Sequence, residues 1–193
     1  MIKTKSDLKR YIQADYNRQN MKHPIWARLT FGEHDLTRRY LKCLRNLEYY
    51  KNNKTGFWNK LMYSFYFIKH RRNCINKGIY IMPNTCQEGL FLPHPGFIRI
   101  GSFCNIGKNC TILPMVLIGK KKPGIECNVV IGNNCYISTG VSIIGPVKIG
   151  NNVTIGPFAH IRPGSIIEDN CKIAALEIGP LGLWKLTGIC FAS

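Results

Sequence analysis

Along the second half of this chain isoleucine returns on a six-residue step. It stands at Ile100, Ile106, Ile112 and Ile118, and again at Ile131, Ile137, Ile143, Ile149, Ile155, Ile161, Ile167 and Ile173. Glycine follows many of these anchors, at Gly101, Gly107, Gly119, Gly132, Gly150 and Gly156. A period of six matches neither the 3.6-residue turn of a helix nor the two-residue alternation of a strand. It matches a mostly-β fold, the left-handed parallel β-helix, in which each flat side of a triangular coil takes one hexapeptide and glycine eases the corner. A second position agrees. Four residues after each anchor stand small side chains, among them Cys104, Cys110, Val116, Cys135, Val141, Val147, Val153, Ala159 and Cys171. Such side chains suit an interior corner shared with the isoleucine. Polar residues between the two positions (Lys108, Asn109, Asn133, Asn134, Asn151 and Asn152) can face water or form the turns.

The first part of the chain reads differently. Thr4 or Ser6 can cap a helix through Leu8, Tyr11 and Ile12, and Asp35 a second through Leu36, Tyr40, Leu44 and Leu47. Pro24 and Gly32 punctuate the loop between them. Gly56 opens a third helical stretch, 57–72, rich in large apolar side chains and closed by Lys69, His70, Arg71 and Arg72. Such a helix can pack on the body of the protein, form a subunit contact, or lie in a membrane interface. These patterns divide the chain into an α-helical N-terminal subdomain (1–78), a β-helix (79–175) and an apolar tail (176–193). The first coil is irregular, with Cys86, Leu92, Ile98 and Cys104 on a six-residue step but without isoleucine–glycine pairs. An open solenoid end exposes backbone hydrogen-bonding groups, and the helices are its natural cover.

Length and composition narrow the picture. A chain of 193 residues can bury a core as one domain, or as one domain with a subdomain. With no signal-peptide pattern and no apolar run of about 18 residues, the expected location is the cytoplasm, with peripheral contact at the inner face of the membrane as a further option. Nine cysteines, an odd number and without a C-x-x-C pair, argue against a disulfide framework or a structural zinc site. Reduced thiols at the interior corner serve as small hydrophobes. The net charge of +17 is concentrated early, with 18 Lys and Arg against five acids in residues 1–80. An anionic membrane, an anionic substrate or a simply solvated basic face all fit this charge. Nucleic acid is less favoured, because no recognition motif accompanies it.

Two breaks in the ladder carry candidate chemistry. From Ile118 to Ile131 is 13 residues, one more than two clean steps, and the insert contains Gly119-Lys120-Lys121-Lys122-Pro123-Gly124. Lysines beside glycines suit phosphate groups, although an exposed basic loop has the same composition. The other break holds His94, in Leu92-Pro93-His94-Pro95-Gly96. Histidine titrates near neutrality and can take a proton from a hydroxyl.

The stretch from Gly89 to Gly101, with Cys110-Thr111-Ile112-Leu113 and Ile118-Gly119, resembles the active-site coil of hexapeptide-repeat acyltransferases. The similar group is the serine acetyltransferase-like one, which includes capsular polysaccharide O-acetyltransferases. The resemblance covers roughly residues 79–170. It implies His94 as general base and acetyl-CoA as co-substrate, held between subunits of a homotrimer along turns matching Gly119 and Ser138-Thr139-Gly140. Lys120, Lys121 and Lys122 are then expected, from their own chemistry, to meet the CoA phosphates. No metal is implied. It further implies direct transfer to an acceptor hydroxyl. Two departures bear on the acceptor: the aspartate that precedes the histidine in true serine acetyltransferases is Pro93 here, and the aspartate that pairs with it from fifteen residues upstream is Ile79. Glu88, Asp15 or a backbone carbonyl could orient the imidazole instead. A sugar hydroxyl in a surface polysaccharide or its precursor is therefore favoured over serine. A non-catalytic scaffold remains the alternative from another class. A zinc-dependent carbonic anhydrase of this fold fits poorly, since beyond His94 the coil region offers only His160.

Overall fold

The six-residue step closes into a three-sided coil in the computed structural model, which describes residues 1–18, 32–122, 127–174 and 191–192. One face stacks β1 (Ile79–Ile81), β2 (Ile98–Ile100), β5 (Val116–Lys120), β8 (Ser142–Gly145) and β11 (His160–Ile161), all parallel. The second face stacks β3 (Cys104–Ile106), β6 (Val129–Ile131), β9 (Val147–Ile149) and β12 (Ile166–Ile167). The third stacks β4 (Thr111–Ile112), β7 (Tyr136–Ile137), β10 (Thr154–Ile155) and β13 (Cys171–Ile173), with β14 (Phe191–Ala192) antiparallel at its end. This is the left-handed β-helix that the ladder predicts, preceded by helices.

Each isoleucine lies on the isoleucine of the next coil. The columns run Ile100, Ile118, Ile143, Ile161 on the first face; Ile106, Ile131, Ile149, Ile167 on the second; and Ile112, Ile137, Ile155, Ile173 on the third. From Ile100 to Ile155 every anchor is almost wholly buried, and only the last coil leaves Ile167 and Ile173 half-buried. Burial of one such side chain contributes about 1.5–3 kcal/mol, so the stacked columns are the core. Cys104, Cys110 and Cys135 are buried free thiols in the interior corner; Cys171 is buried there too, and is disulfide-bonded.

Glycine is required at one corner above all. A Cβ on Gly132 would lie 2.5 Å from the carbonyl oxygen of Gly150 in the next coil. Two residues further on, Asn134, Asn152 and Asn170 take left-handed backbone angles (φ 56°, 56° and 62°). Asparagine tolerates that region better than most residues. Their side chains bond up the corner, Asn134 to Asn152 and Asn152 to Asn170.

The structure corrects the count at the 13-residue break. Ile118 lies on the first face and Ile131 on the second, adjacent along the coil, so the segment is a single step carrying seven extra residues rather than two steps and one. The first coil also departs from regularity. Cys86 pairs with Ile106 and Phe91 with Thr111, which makes Cys86 and Leu92 anchors; Ile98 and Cys104 are second-position residues. From the anchor Leu92 to the anchor Ile100 is eight residues, so this corner is widened by two, and it is the corner that carries His94.

Three helices precede the coil among the described residues. In α1 (Lys5–Arg18) Thr4 is the cap: its hydroxyl accepts from the Asp7 N–H while Asp7 accepts from the Thr4 N–H, both at 3.0 Å. The second helix, α2 (Glu33–Asn52), begins two residues before the expected cap. Asp35 lies inside its first turn, paired with Arg39, and Gly32 precedes the helix. The third, α3 (Phe57–Lys77), runs five residues beyond the stretch read from sequence and ends at Gly78, left-handed at φ 69°.

A buried guanidinium fastens α1 and α2 to the open end of the coil. Arg45, fully buried, bonds Asp15 of α1 at 2.8 Å, Glu48 at 3.0 Å, and the carbonyls of Cys86 and Gln87 at 2.8 Å each. Asp15 also accepts from the Leu90 N–H and Glu48 from the Asn84 N–H. Burial opposes the charge on Arg45, but Glu48 and Asp15 outweigh it and hold the guanidinium above its ordinary range. Nearby, Tyr40 accepts from the Ile81 N–H. Exposed first-coil backbone thus finds its partners in the helices.

Candidate active site

His94 sits in the widened corner between the third and first faces of the first coil. Pro93 and Pro95 fix the backbone on either side of it. Gly96 lets the loop press on the coil below, since a Cβ there would stand 3.0 Å from Pro114. The imidazole projects outward, with its side chain 56% exposed. Its Nδ1 lies 2.9 Å from Oε2 of Glu33, the first residue of α2. A neutral ring that donates from Nδ1 to this carboxylate keeps its lone pair on Nε2, the arrangement a general base needs. The His34 ring lies beside it, 6.4 Å between centroids.

None of the groups expected to orient His94 does so. Asp15 is committed to Arg45 and Leu90, and Glu88 pairs with Arg10 at 2.8 Å and Lys108 at 3.0 Å. Ile79, at the position of the upstream aspartate, is wholly buried in β1. Sequence reasoning missed Glu33, which lies 61 residues away on a different element. The run Gly32-Glu33-His34-Asp35 was the one available signal, three titratable side chains together at a helix start.

Ser138, Thr139 and Gly140 lie on the same corner as His94, two coils further along. The coils there are tied together by the Met115 N–H donating to the Phe97 carbonyl and the Thr139 hydroxyl donating to the Pro114 carbonyl at 2.8 Å. Gly140 has φ 71°, and a Cβ on it would meet the Phe158 ring at 2.4 Å. Gly119 and Lys120 end β5 on the first face, with Lys120 Nζ 5.0 Å from the centre of the Phe103 ring. Lys121 and Lys122 follow, exposed, at the corner between the first and second faces. A single chain therefore brings His94 together with Ser138–Gly140 and sets the lysines on a different corner. Pro123 and Gly124 of the loop lie outside the described residues.

Next to Gly119 the first face holds an open cleft of about 500 Å³. Arg71, Arg99 and Lys120 surround it, over Tyr80, Phe103 and Leu117. Cations over an aromatic and aliphatic floor fit a ligand with phosphate groups and an apolar or heteroaromatic portion. The Cys86 and Cys104 thiols are poor nucleophiles by comparison, since burial pushes both up to about 12. Among the described residues, no three His, Cys, Asp or Glu side chains gather where they could hold a metal ion.

Comparison with known proteins bears on the repeats and the fold. The signature described as "Bacterial transferase hexapeptide (six repeats)" matches residues 146–176, and "Hexapeptide repeat of succinyl-transferase" matches 97–121. Repeats and coil together define a hexapeptide-repeat protein of the left-handed β-helix class. Among curated proteins the chain is 41% identical over 92 residues to the bifunctional protein GlmU of Thermoanaerobacter pseudethanolicus, covering 42% of this chain and 20% of that protein. It is 40% identical over 97 residues to GlmU of a Geobacillus species, covering 45% and 21%. The chain spans about a fifth of these relatives' length. Its fold is that of serine acetyltransferases. The soybean apoenzyme superposes with a TM-score of 0.68 at 18% identity, over 88% of this chain and 67% of that one. The Neisseria gonorrhoeae enzyme gives 0.68 at 18%, over 97% and 70%. A serine acetyltransferase complexed with CoA gives 0.61 at 15%, over 89% and 66%. These findings show a chain of hexapeptide repeats that shares its fold with serine acetyltransferases.

Proposed function

We propose that this protein is an acetyl-CoA-dependent O-acetyltransferase that modifies a sugar hydroxyl of a surface or capsular polysaccharide or its precursor. The observation that carries the reading is the imidazole of His94, more than half exposed and held at Nδ1 by Glu33. Nε2 takes the proton of the acceptor hydroxyl as its oxygen attacks the thioester carbon of acetyl-CoA. The tetrahedral intermediate collapses, the C–S bond breaks, and the CoA thiolate recovers the proton from the imidazolium. Glu33 stabilises that imidazolium while it exists. Transfer is direct, within one ternary complex.

Acetyl-CoA is assigned to Gly119, Lys120, Lys121 and Lys122 together with Ser138, Thr139 and Gly140. Because His94 and the lysines lie on different corners of one chain, the reading includes a homotrimer whose grooves join a corner of one copy to a face of the next. The basic N-terminal region then keeps the enzyme near anionic polymer or lipid.

Serine is the second reading. It is favoured by the fold likeness, which includes a soybean serine acetyltransferase complexed with serine. Pro93 and Ile79 stand against it, since neither can offer the carboxylate that the serine acetyltransferase pattern has at those places. Chromatographic measurement of CoA release from acetyl-CoA, with serine, free sugars and oligosaccharides as acceptors, tests the proposal. Turnover with sugars or oligosaccharides well above that with serine is expected. Faster turnover with serine would reverse the assignment, and failure to bind CoA would favour a scaffold.

A further inference from the structure

We propose that α3 is an interfacial anchor that seats this protein on an anionic lipid bilayer. The inference stands on α3 alone and does not depend on the acetyl-transfer reading. One side of α3 is used in the fold: His70 and Cys74 are buried, the His70 ring lies 5.5 Å from that of Tyr40, and Tyr66 stacks on Tyr50 of α2. On the other side an apolar stripe faces water. Its members are Phe57 (73% exposed), Trp58 (74%), Leu61 (49%), Phe65 (53%), Ile68 (59%) and Ile75 (76%). Steps of three, four and seven residues keep them in one row along the helix. Scattered exposed apolar residues are ordinary on a protein surface; six along one helix face, half of them aromatic, are not.

Charge decides what covers the row. Helix α3 contains Lys60, Lys69, Arg71, Arg72 and Lys77 and not one Asp or Glu. By helical position Lys69 borders the stripe on one side and Lys60 on the other, while Arg72 falls within it. A second copy of α3 would meet like charge on both flanks, whereas paired helices place opposite charges beside an apolar seam. An anionic bilayer satisfies both features: the rings enter the boundary between headgroups and acyl chains, and the cations reach lipid phosphates. Among the described residues no helix is long and apolar enough to cross a membrane, so α3 lies in the surface plane.

The full chain is mixed with vesicles of equal parts phosphatidylglycerol and phosphatidylcholine, or of phosphatidylcholine alone, and centrifuged. The protein is expected to sediment with the anionic vesicles, to stay in solution with the neutral ones, and to be released by salt. The triple variant Trp58→Ser/Phe65→Ser/Ile68→Ser alters only exposed positions and should keep its circular dichroism while partitioning about tenfold less or weaker still. Lys69→Glu/Arg72→Glu should lose the preference for anionic lipid. Wild-type protein that ignores anionic vesicles, or binds neutral ones equally, overturns the proposal. So does a triple variant that binds as well as wild type. Sedimentation velocity covers the rival occupant: a wild-type oligomer that ignores vesicles and dissociates in the triple variant would make the stripe a subunit contact.

Discussion

Glu33 and His94 are both more than half exposed, at 63% and 56% of their side chains, so the hydrogen bond between them contributes little to stability. Its consequence is orientation, fixing which imidazole nitrogen is left over. His94 was legible because Pro93, Pro95 and Gly96 mark a place where the repeat cannot run straight. Glu33 was not, because a six-residue period carries no information about residues outside the coil. A second histidine shows how differently the same side chain behaves when enclosed. His70, beside Cys74 (3.5 Å) and the Tyr40 ring, is lowered by burial from 6.5 to about 4, with Arg71 adding to the effect. The unfolded chain therefore binds a proton near pH 6.5 that the native state refuses until about pH 4. The contribution of this residue to stability is complete above pH 6.5 and is lost as pH falls through that window, by on the order of 3 kcal/mol in all. Urea unfolding at about pH 7.5 and about pH 5 should show a smaller difference in His70→Gln than in wild type. Equal differences would remove His70 as a source of the pH dependence.

At the level of elements, the coil was readable almost residue by residue, because each isoleucine must return to the same interior column. The miscount at the 13-residue break has a physical cause: a loop without an anchor and a coil step can have nearly equal lengths, and only strand pairing separates them. Helix starts were less certain. Gly32 opens α2 although Asp35 has the chemistry of a cap, since Asp35 is engaged with Arg39 inside the first turn. Least legible was the joint between helices and coil, where Arg45 meets Asp15, Glu48 and two first-coil carbonyls. Arg45→Met keeps much of the volume but leaves two buried carboxylates without their cation. The expected cost is about 3–5 kcal/mol, read as a lower midpoint in thermal or urea unfolding. An unchanged midpoint would mean that the helices are held by apolar contact alone.

For the molecule as a whole, the β-helix is a rigid prism whose corners present different chemistry. One corner carries His94 and Ser138–Gly140; the face beside it carries the cationic cleft; the next corner carries Lys121 and Lys122. The two breaks in the isoleucine ladder thus fall at the His94 corner and at the lysine corner, and the unbroken columns hold both in place. The most direct test compares wild type with His94→Ala for acetyl transfer and for CoA binding. The expected result is a fall in kcat of about 10²–10⁴-fold with CoA binding unchanged. Acetyl transfer by His94→Ala at the wild-type rate would contradict the assignment of His94 as the base.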